Sequence, residues 1–136
     1  MSGQRQDVGR RRVLIAEDHR GLRRAQAELL EVAGFEVVGR AADGADAVAL
    51  ARQVTPDLVL MDLSMPVLNG LEATRLLTEL LPGTPVVILT AYDSPDLHRA
   101  VREAGAAGYL VKDVGVDELV AALDRILTGW PARPDA

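Results

Sequence analysis

The sequence predicts an α/β fold, a parallel sheet of five strands with five helices packed on both of its faces. Three observations carry this. Short runs rich in Val, Ile and Leu alternate along the chain with longer segments of helical spacing. The connections between them are short, and no internal repeat is present. The run Leu58 to Met61, inside PDLVLMD, is apolar at every position, as expected of a strand buried on both faces.

Arg12 to Ala16 reads as the first strand. A helix follows over His19 to Val32, with Leu22, Ala25, Leu29 and Val32 at helical spacing and Gly34 ending it. Phe35 to Gly39 reads as the second strand, and Asp43 as the cap of a helix carrying Ala47, Val48, Ala51 and Val54. The Leu58–Met61 strand ends on Asp62. Asn69 with Glu72 resembles a capping box opening a helix over Gly70 to Leu81, and Pro82-Gly83 breaks it. Pro85 to Thr90 is a fourth strand. Ser94-Pro95-Asp96 has the form of cap, first-turn proline and first-turn acid. The helix it opens turns Leu97, Ala100, Val101 and Ala104 inward, and Gly105 stops it. Ala107 to Val111 is the last strand. Gly115 to Leu127 is the last helix, with Val116, Leu119, Val120, Leu123, Ile126 and Leu127 mostly on one stripe.

The chain of 136 residues is long enough for one domain with a real core. Net charge is −5 although Arg5, Arg10, Arg11 and Arg12 crowd the N-terminus, so the folded part is more acidic still. That argues against direct nucleic-acid binding by the domain. Without cysteine there are no disulfides or thiolate metal sites. No segment reaches signal-peptide or membrane-spanning form, so a cytoplasmic location is the default expectation. The expected division is a disordered N-terminal tail over 1–11, the domain over 12–129, and a tail or linker start over 130–136.

In such sheets ligands bind beyond the strand C-termini. On its own stretch, Asp62 reads equally well as a solvated turn residue or a helix cap. Across the chain the strand ends deliver Glu17-Asp18, Asp62, Thr90 and Lys112. Singly, the acids could be helix-favouring residues, Thr90 a turn hydroxyl and Lys112 solvated surface. Together they supply complementary chemistry to one edge. Three clustered carboxylates repel and call for a cation. Oxygen ligands without Cys or His favour a hard ion, and an incomplete protein shell favours magnesium. A carboxylate nucleophile, a magnesium, a lysine and a hydroxyl are the parts needed to form an aspartyl phosphate.

The pieces VLIAEDH, PDLVLMDLSMPVLNG, VVILTAY and GYLVKD, in this order, closely resemble a bacterial two-component response regulator receiver domain. EDH and GYLVKD look most like its NarL/FixJ-like (LuxR-type) subclass. The resemblance covers residues 12–129. It implies a flavodoxin-like, chemotaxis-receiver-like doubly wound sheet of strand order 2-1-3-4-5. It implies Asp62 as the phosphoacceptor for a sensor histidine kinase. Asp18, Asp62 and the Ser64 backbone carbonyl would bind magnesium, with Glu17 acting through a metal-bound water. Lys112 would pair with the phosphoryl group, Thr90 would hydrogen-bond it, and Tyr109 would turn inward when Thr90 moves. A half-buried sheet-edge tyrosine is the plainer reading of Tyr109. Phosphorylation would bias the face of the fourth helix, fifth strand and fifth helix. That face and the one built from the first and fifth helices are the expected homodimer surfaces. The protein would assist its own phosphoryl transfer and loss without being a turnover enzyme.

Three departures qualify the match. Asp113 follows Lys112 where many receivers have proline, so a trans peptide is expected there. Small Ser64 and larger Tyr92 flank the site, which implies water access partly screened and an intermediate phosphoryl lifetime. The subclass usually continues into a helix-turn-helix domain, whereas this sequence runs to Ala136 through Trp130-Pro131. Control of transcription through an output domain outside this chain is the favoured reading, and a stand-alone switch or phosphorelay intermediate is the alternative. A flavodoxin-type electron carrier would repel its flavin phosphate at Glu17-Asp18. A phosphatase of the haloacid-dehalogenase kind would want a second Asp where Ser64 stands. A phosphorylation-independent interaction module is disfavoured by the complete set of strand-end residues.

Overall fold

The computed structural model describes residues 10–65 and 68–130. Most of the two expected tails lies outside them. Five parallel strands form one sheet: β1 (Arg12–Ala16), β2 (Glu36–Ala41), β3 (Leu58–Asp62), β4 (Val86–Thr90) and β5 (Gly108–Val111). Their order is the expected 2-1-3-4-5. Five helices connect or follow them: α1 (Arg20–Val32), α2 (Gly44–Val54), α3 (Gly70–Leu80), α4 (Pro95–Glu103) and α5 (Val116–Gly129).

Alternation along the central strands builds two cores. Val13, Ile15, Leu58, Leu60, Val87 and Leu89 face α1 and α5, where they meet Ala27, Leu30, Leu119 and Leu123. Leu14, Ala16, Val59, Met61, Val86 and Ile88 face α2, α3 and α4. β3 and β4 are buried throughout, which is why they read as unbroken apolar runs. The caps form as expected. Asp43, Asn69 and Ser94 accept from the amides of Asp46, Glu72 and Leu97, and Pro95 sits in the first turn of α4. Gly34 and Gly105, at φ +103° and +98°, take the left-handed conformation just past α1 and α4.

Two features depart from the sequence pattern. The α1 residues Leu22, Ala25, Leu29 and Val32, though at helical spacing, are not its buried face: Leu29 is 42% exposed and Val32 88%. The buried residues are Gln26, Ala27 and Leu30. Small Ala27 sits against the sheet, and the polar residues on that side, Arg23 and Gln26, disguise it in a hydrophobicity pattern. β2 also runs past Gly39 to Ala41, and a register shift opposite Val13 and Leu14 pairs Leu14 with Gly39. As an edge strand it is half-buried and reaches its end through Arg40, so its apolar signal stops early. Smaller differences fall at ends: β5 starts at Gly108, and α5 runs from Val116, which is 42% exposed, to Gly129.

The β3–α3 connection is built tightly over the end of β3. The Gly70 amide donates to the Leu63 carbonyl, and a Cβ at Gly70 would stand 2.0 Å from the Asp62 carbonyl oxygen. Only glycine permits that approach, and it fixes the backbone that carries Asp62.

Candidate functional site

The sheet brings the predicted strand-end residues into one cleft of about 300 Å³. Glu17, Asp18, Asp62, Ser64, Thr90, Tyr92 and Lys112 line it, together with His19, Leu22 and Ala91. Glu17, Asp62 and Thr90 are 2%, 5% and 2% exposed, whereas Asp18 is exposed. Carboxylate oxygens of Glu17, Asp18 and Asp62 lie within 4.8 Å of one another. Lys112 Nζ stands 3.0 Å from Glu17 Oε1 and 3.2 Å from Asp62 Oδ1.

The electrostatics follow from two buried acids sharing one lysine with a third carboxylate close by. Burial raises the pKa of Asp62, and the hydrogen bond and charge of Lys112 offset only part of the rise. The nearby Asp18 charge raises it further, while the Ser64 backbone lowers it. Burial likewise raises Glu17, with Lys112 opposing and Asp62 adding to the rise. Burial works against the charge of Lys112, but its bonds to Glu17 and Asp62 prevail and its pKa is raised. A cluster of three carboxylates, two buried and one exposed, with one lysine paired to it fits a hard divalent cation.

Around this centre the backbone ties the strand ends together. The Lys112 amide donates to the Thr90 carbonyl at 2.6 Å, and the Glu17 amide to the Ala41 carbonyl at 3.0 Å. Thr90 Oγ1 accepts from the Tyr92 amide at 3.3 Å. Tyr109 lies farther along the sheet edge, outside the cleft. Its hydroxyl donates to the Tyr92 carbonyl, and its ring stacks on His98 at a centroid distance of 3.8 Å. His98 Nε2 lies 3.1 Å from Asp93 Oδ1.

Two residues of this neighbourhood carried no sequence signal recognised above. Arg23 Nη1 donates to the Glu17 carbonyl at 2.8 Å. Its signal is positional, since a long side chain in the first turn of α1 can reach back to the strand end. His98 reaches Tyr109 through tertiary packing, which helical periodicity does not encode. Among the described residues, no helix is long and apolar enough to cross a membrane.

The response regulator receiver domain family matches residues 13–124. Among curated relatives, response regulator GacA of Pseudomonas aeruginosa is 40% identical over 119 residues, covering 87% of this chain and 56% of the relative. Transcriptional regulatory protein PdtaR of Mycobacterium tuberculosis is 44% identical over 114 residues, covering 84% and 55%. The chain thus spans about half the length of the curated relatives it matches. A LuxR-family two-component response regulator from Aurantimonas sp. superposes with a TM-score of 0.85 at 36% identity, covering 89% of this chain and 87% of that one. The signal receiver domain of a NarL response regulator from Mycobacterium tuberculosis gives 0.84 at 31%, covering 88% and 98%. With the family match spanning most of the chain and the sheet order in agreement, the chain belongs to the response regulator receiver domain family.

Proposed function

We propose that this domain accepts a phosphoryl group on Asp62 from the phosphohistidine of a sensor histidine kinase and uses the product as a switch. The observation that carries the reading is the position of Asp62. It is buried at the end of the central strand, 3.2 Å from Lys112 Nζ, and clustered with two further carboxylates. An Asp62 carboxylate oxygen attacks phosphorus, a P–O bond forms, and the P–N bond to the kinase imidazole breaks. Lys112 supplies positive charge to the transferring group, and the Thr90 hydroxyl supplies a donor. Asp18, Asp62 and the Ser64 carbonyl would hold magnesium, with Glu17 supporting it through water. A cation held there would neutralise the carboxylates and the incoming phosphoryl charge.

The switch reading rests on the contacts around Tyr92. Its amide is held by Thr90 and its carbonyl by Tyr109. A phosphoryl group on Asp62 adds about −1.5 to −2 charge and recruits Lys112 and Thr90. Thr90 turning to the phosphoryl gives up the Tyr92 amide, which loosens the backbone that holds the Tyr109 hydroxyl. Moving such an equilibrium from 1:99 to 99:1 requires about 5.5 kcal/mol, which a few charge-assisted contacts can largely supply. The face of α4, β5 and α5 would then present a changed surface for a second copy or an output module. The face of α1 and α5, with Leu29 and Val32 exposed on α1, is the other dimer candidate. Ser64 and Tyr92 at the cleft mouth would set phosphoryl lifetime, and an unchanged dephosphorylation rate in Tyr92→Ala would remove Tyr92 from that role. Transcriptional control through a further domain is the favoured output, because the match covers only 55% and 56% of the two transcriptional regulators that this chain resembles. A stand-alone phosphorelay step is the second reading.

The test is incubation with a small phosphodonor and magnesium, read by intact mass. The wild type is expected to gain one phosphoryl group and Asp62→Asn none. Equal labelling of the variant would remove Asp62 from the role.

A further inference from the structure

The geometry points to Arg23 as a positioning residue for the metal-binding acids, acting through the peptide between Glu17 and Asp18. This rests on the magnesium reading above. The turn after β1 is held at nearly every polar group. The Glu17 amide donates to Ala41, and its Oε2 accepts from the His19 amide at 3.2 Å. Its Oε1 meets Lys112. His19 Nδ1 accepts from the Leu22 amide, and the His19 carbonyl accepts from the Arg23 amide. Among the described residues, the Glu17 carbonyl accepts from no backbone N–H. Arg23 Nη1 supplies a donor to it at 2.8 Å in a partly buried setting.

The consequence falls on Asp18. Its carboxylate makes no hydrogen bond or ion pair among the described residues, and it is the exposed member of the acidic cluster. The peptide plane is rigid, so holding the Glu17 carbonyl also holds the nitrogen and Cα of Asp18. Arg23 therefore leaves the Asp18 carboxylate free while aiming it at the cleft. Charge alone makes the opposite prediction. A guanidinium 2.8 Å from the Glu17 carbonyl adds positive charge near the acidic cluster and opposes a bound cation, so its removal should tighten metal binding if Coulomb energy were its whole effect. The two accounts differ in sign.

Magnesium chloride titrated calorimetrically into wild type, Arg23→Met and Arg23→Lys separates them, with thermal melting of each sample. Loss of an outer-shell partner typically weakens metal affinity about tenfold or more. Arg23→Met is expected to lose about that much, and Arg23→Lys, which keeps a charged donor, to recover most of the loss. Unchanged or tighter binding in Arg23→Met overturns the role, as does a lowered melting temperature with magnesium affinity intact. If Arg23→Met does not fold, Arg23→Gln gives the same discrimination, because it also removes the charge and shortens the arm. A wild type that binds no magnesium overturns the metal reading itself and this role with it, which is a different result from wild-type binding unaffected by the substitutions.

Discussion

Replacing Lys112 by methionine removes the cation paired with the Glu17 and Asp62 carboxylates. At 3.0 and 3.2 Å, each contact carries about 5 kcal/mol of Coulomb energy for an effective dielectric near 20. Desolvation of the three groups offsets much of this. Breaking a buried pair by removing one partner costs about 3–5 kcal/mol, because a buried charge is left behind. The Lys112 side chain is 24% exposed, which screens the pair, so a cost at or just below the low end of that range, about 2–3 kcal/mol, is expected near pH 7.5. The pH dependence has a definite sign. Burial already holds the folded-state pKa values of Glu17 and Asp62 above their ordinary range, and Lys112 opposes that rise in both. Without Lys112 they rise further. An acid whose folded pKa is raised makes the folded state bind more protons, so its cost grows as pH climbs from its unfolded value, about 4, through the folded one. The variant's deficit should therefore be largest near neutrality and shrink as pH falls toward 4. Magnesium, stabilising by mass action, should narrow it at neutral pH. Urea denaturation of both proteins at several pH values, with and without magnesium, measures all three effects. A neutral-pH deficit below about 0.5 kcal/mol, the range of ordinary surface changes, would refute the reasoning. A deficit independent of pH would refute it equally.

Two further substitutions test the frame around the cleft. Gly70→Ala places a Cβ 2.0 Å from the Asp62 carbonyl oxygen and 2.8 Å from Leu63 Cα, both backbone atoms that cannot swing aside. A loss of about 1–3 kcal/mol in urea denaturation and weakened phosphoryl uptake are expected, and an unchanged midpoint would show that the loop yields freely. Tyr109→Phe removes the donor to the Tyr92 carbonyl while leaving the ring stacked on His98. Faster hydrogen exchange at the Tyr92 amide, with Asp62 still accepting phosphate, is expected; unaltered protection would detach the hydroxyl from the loop.

How much of this was legible in the sequence depends on what each residue's position requires. Asp62, Thr90 and Lys112 end or follow strands whose apolar runs mark them plainly, so the topology alone gathers them with Glu17 and Asp18. β3 and β4 were legible for the same reason: burial on both faces leaves no polar residue to blur the pattern. The inward face of α1 was not, because its true face includes Gln26 and Arg23, whose polar groups have structural uses. The extent of β2 was hidden by its edge position and shifted register. The stacking of His98 on Tyr109 depends on how α4 settles against β5, a tertiary result that neither element's own periodicity contains.

The central claim is that Asp62, rather than Asp18 or Glu17, carries the phosphoryl group. All three carboxylates share one cluster, so the modified residue has to be located directly. Reducing the acyl phosphate with labelled borohydride and mapping the label by peptide sequencing does so. Label is expected at position 62 alone. Label at position 17 or 18 would contradict it.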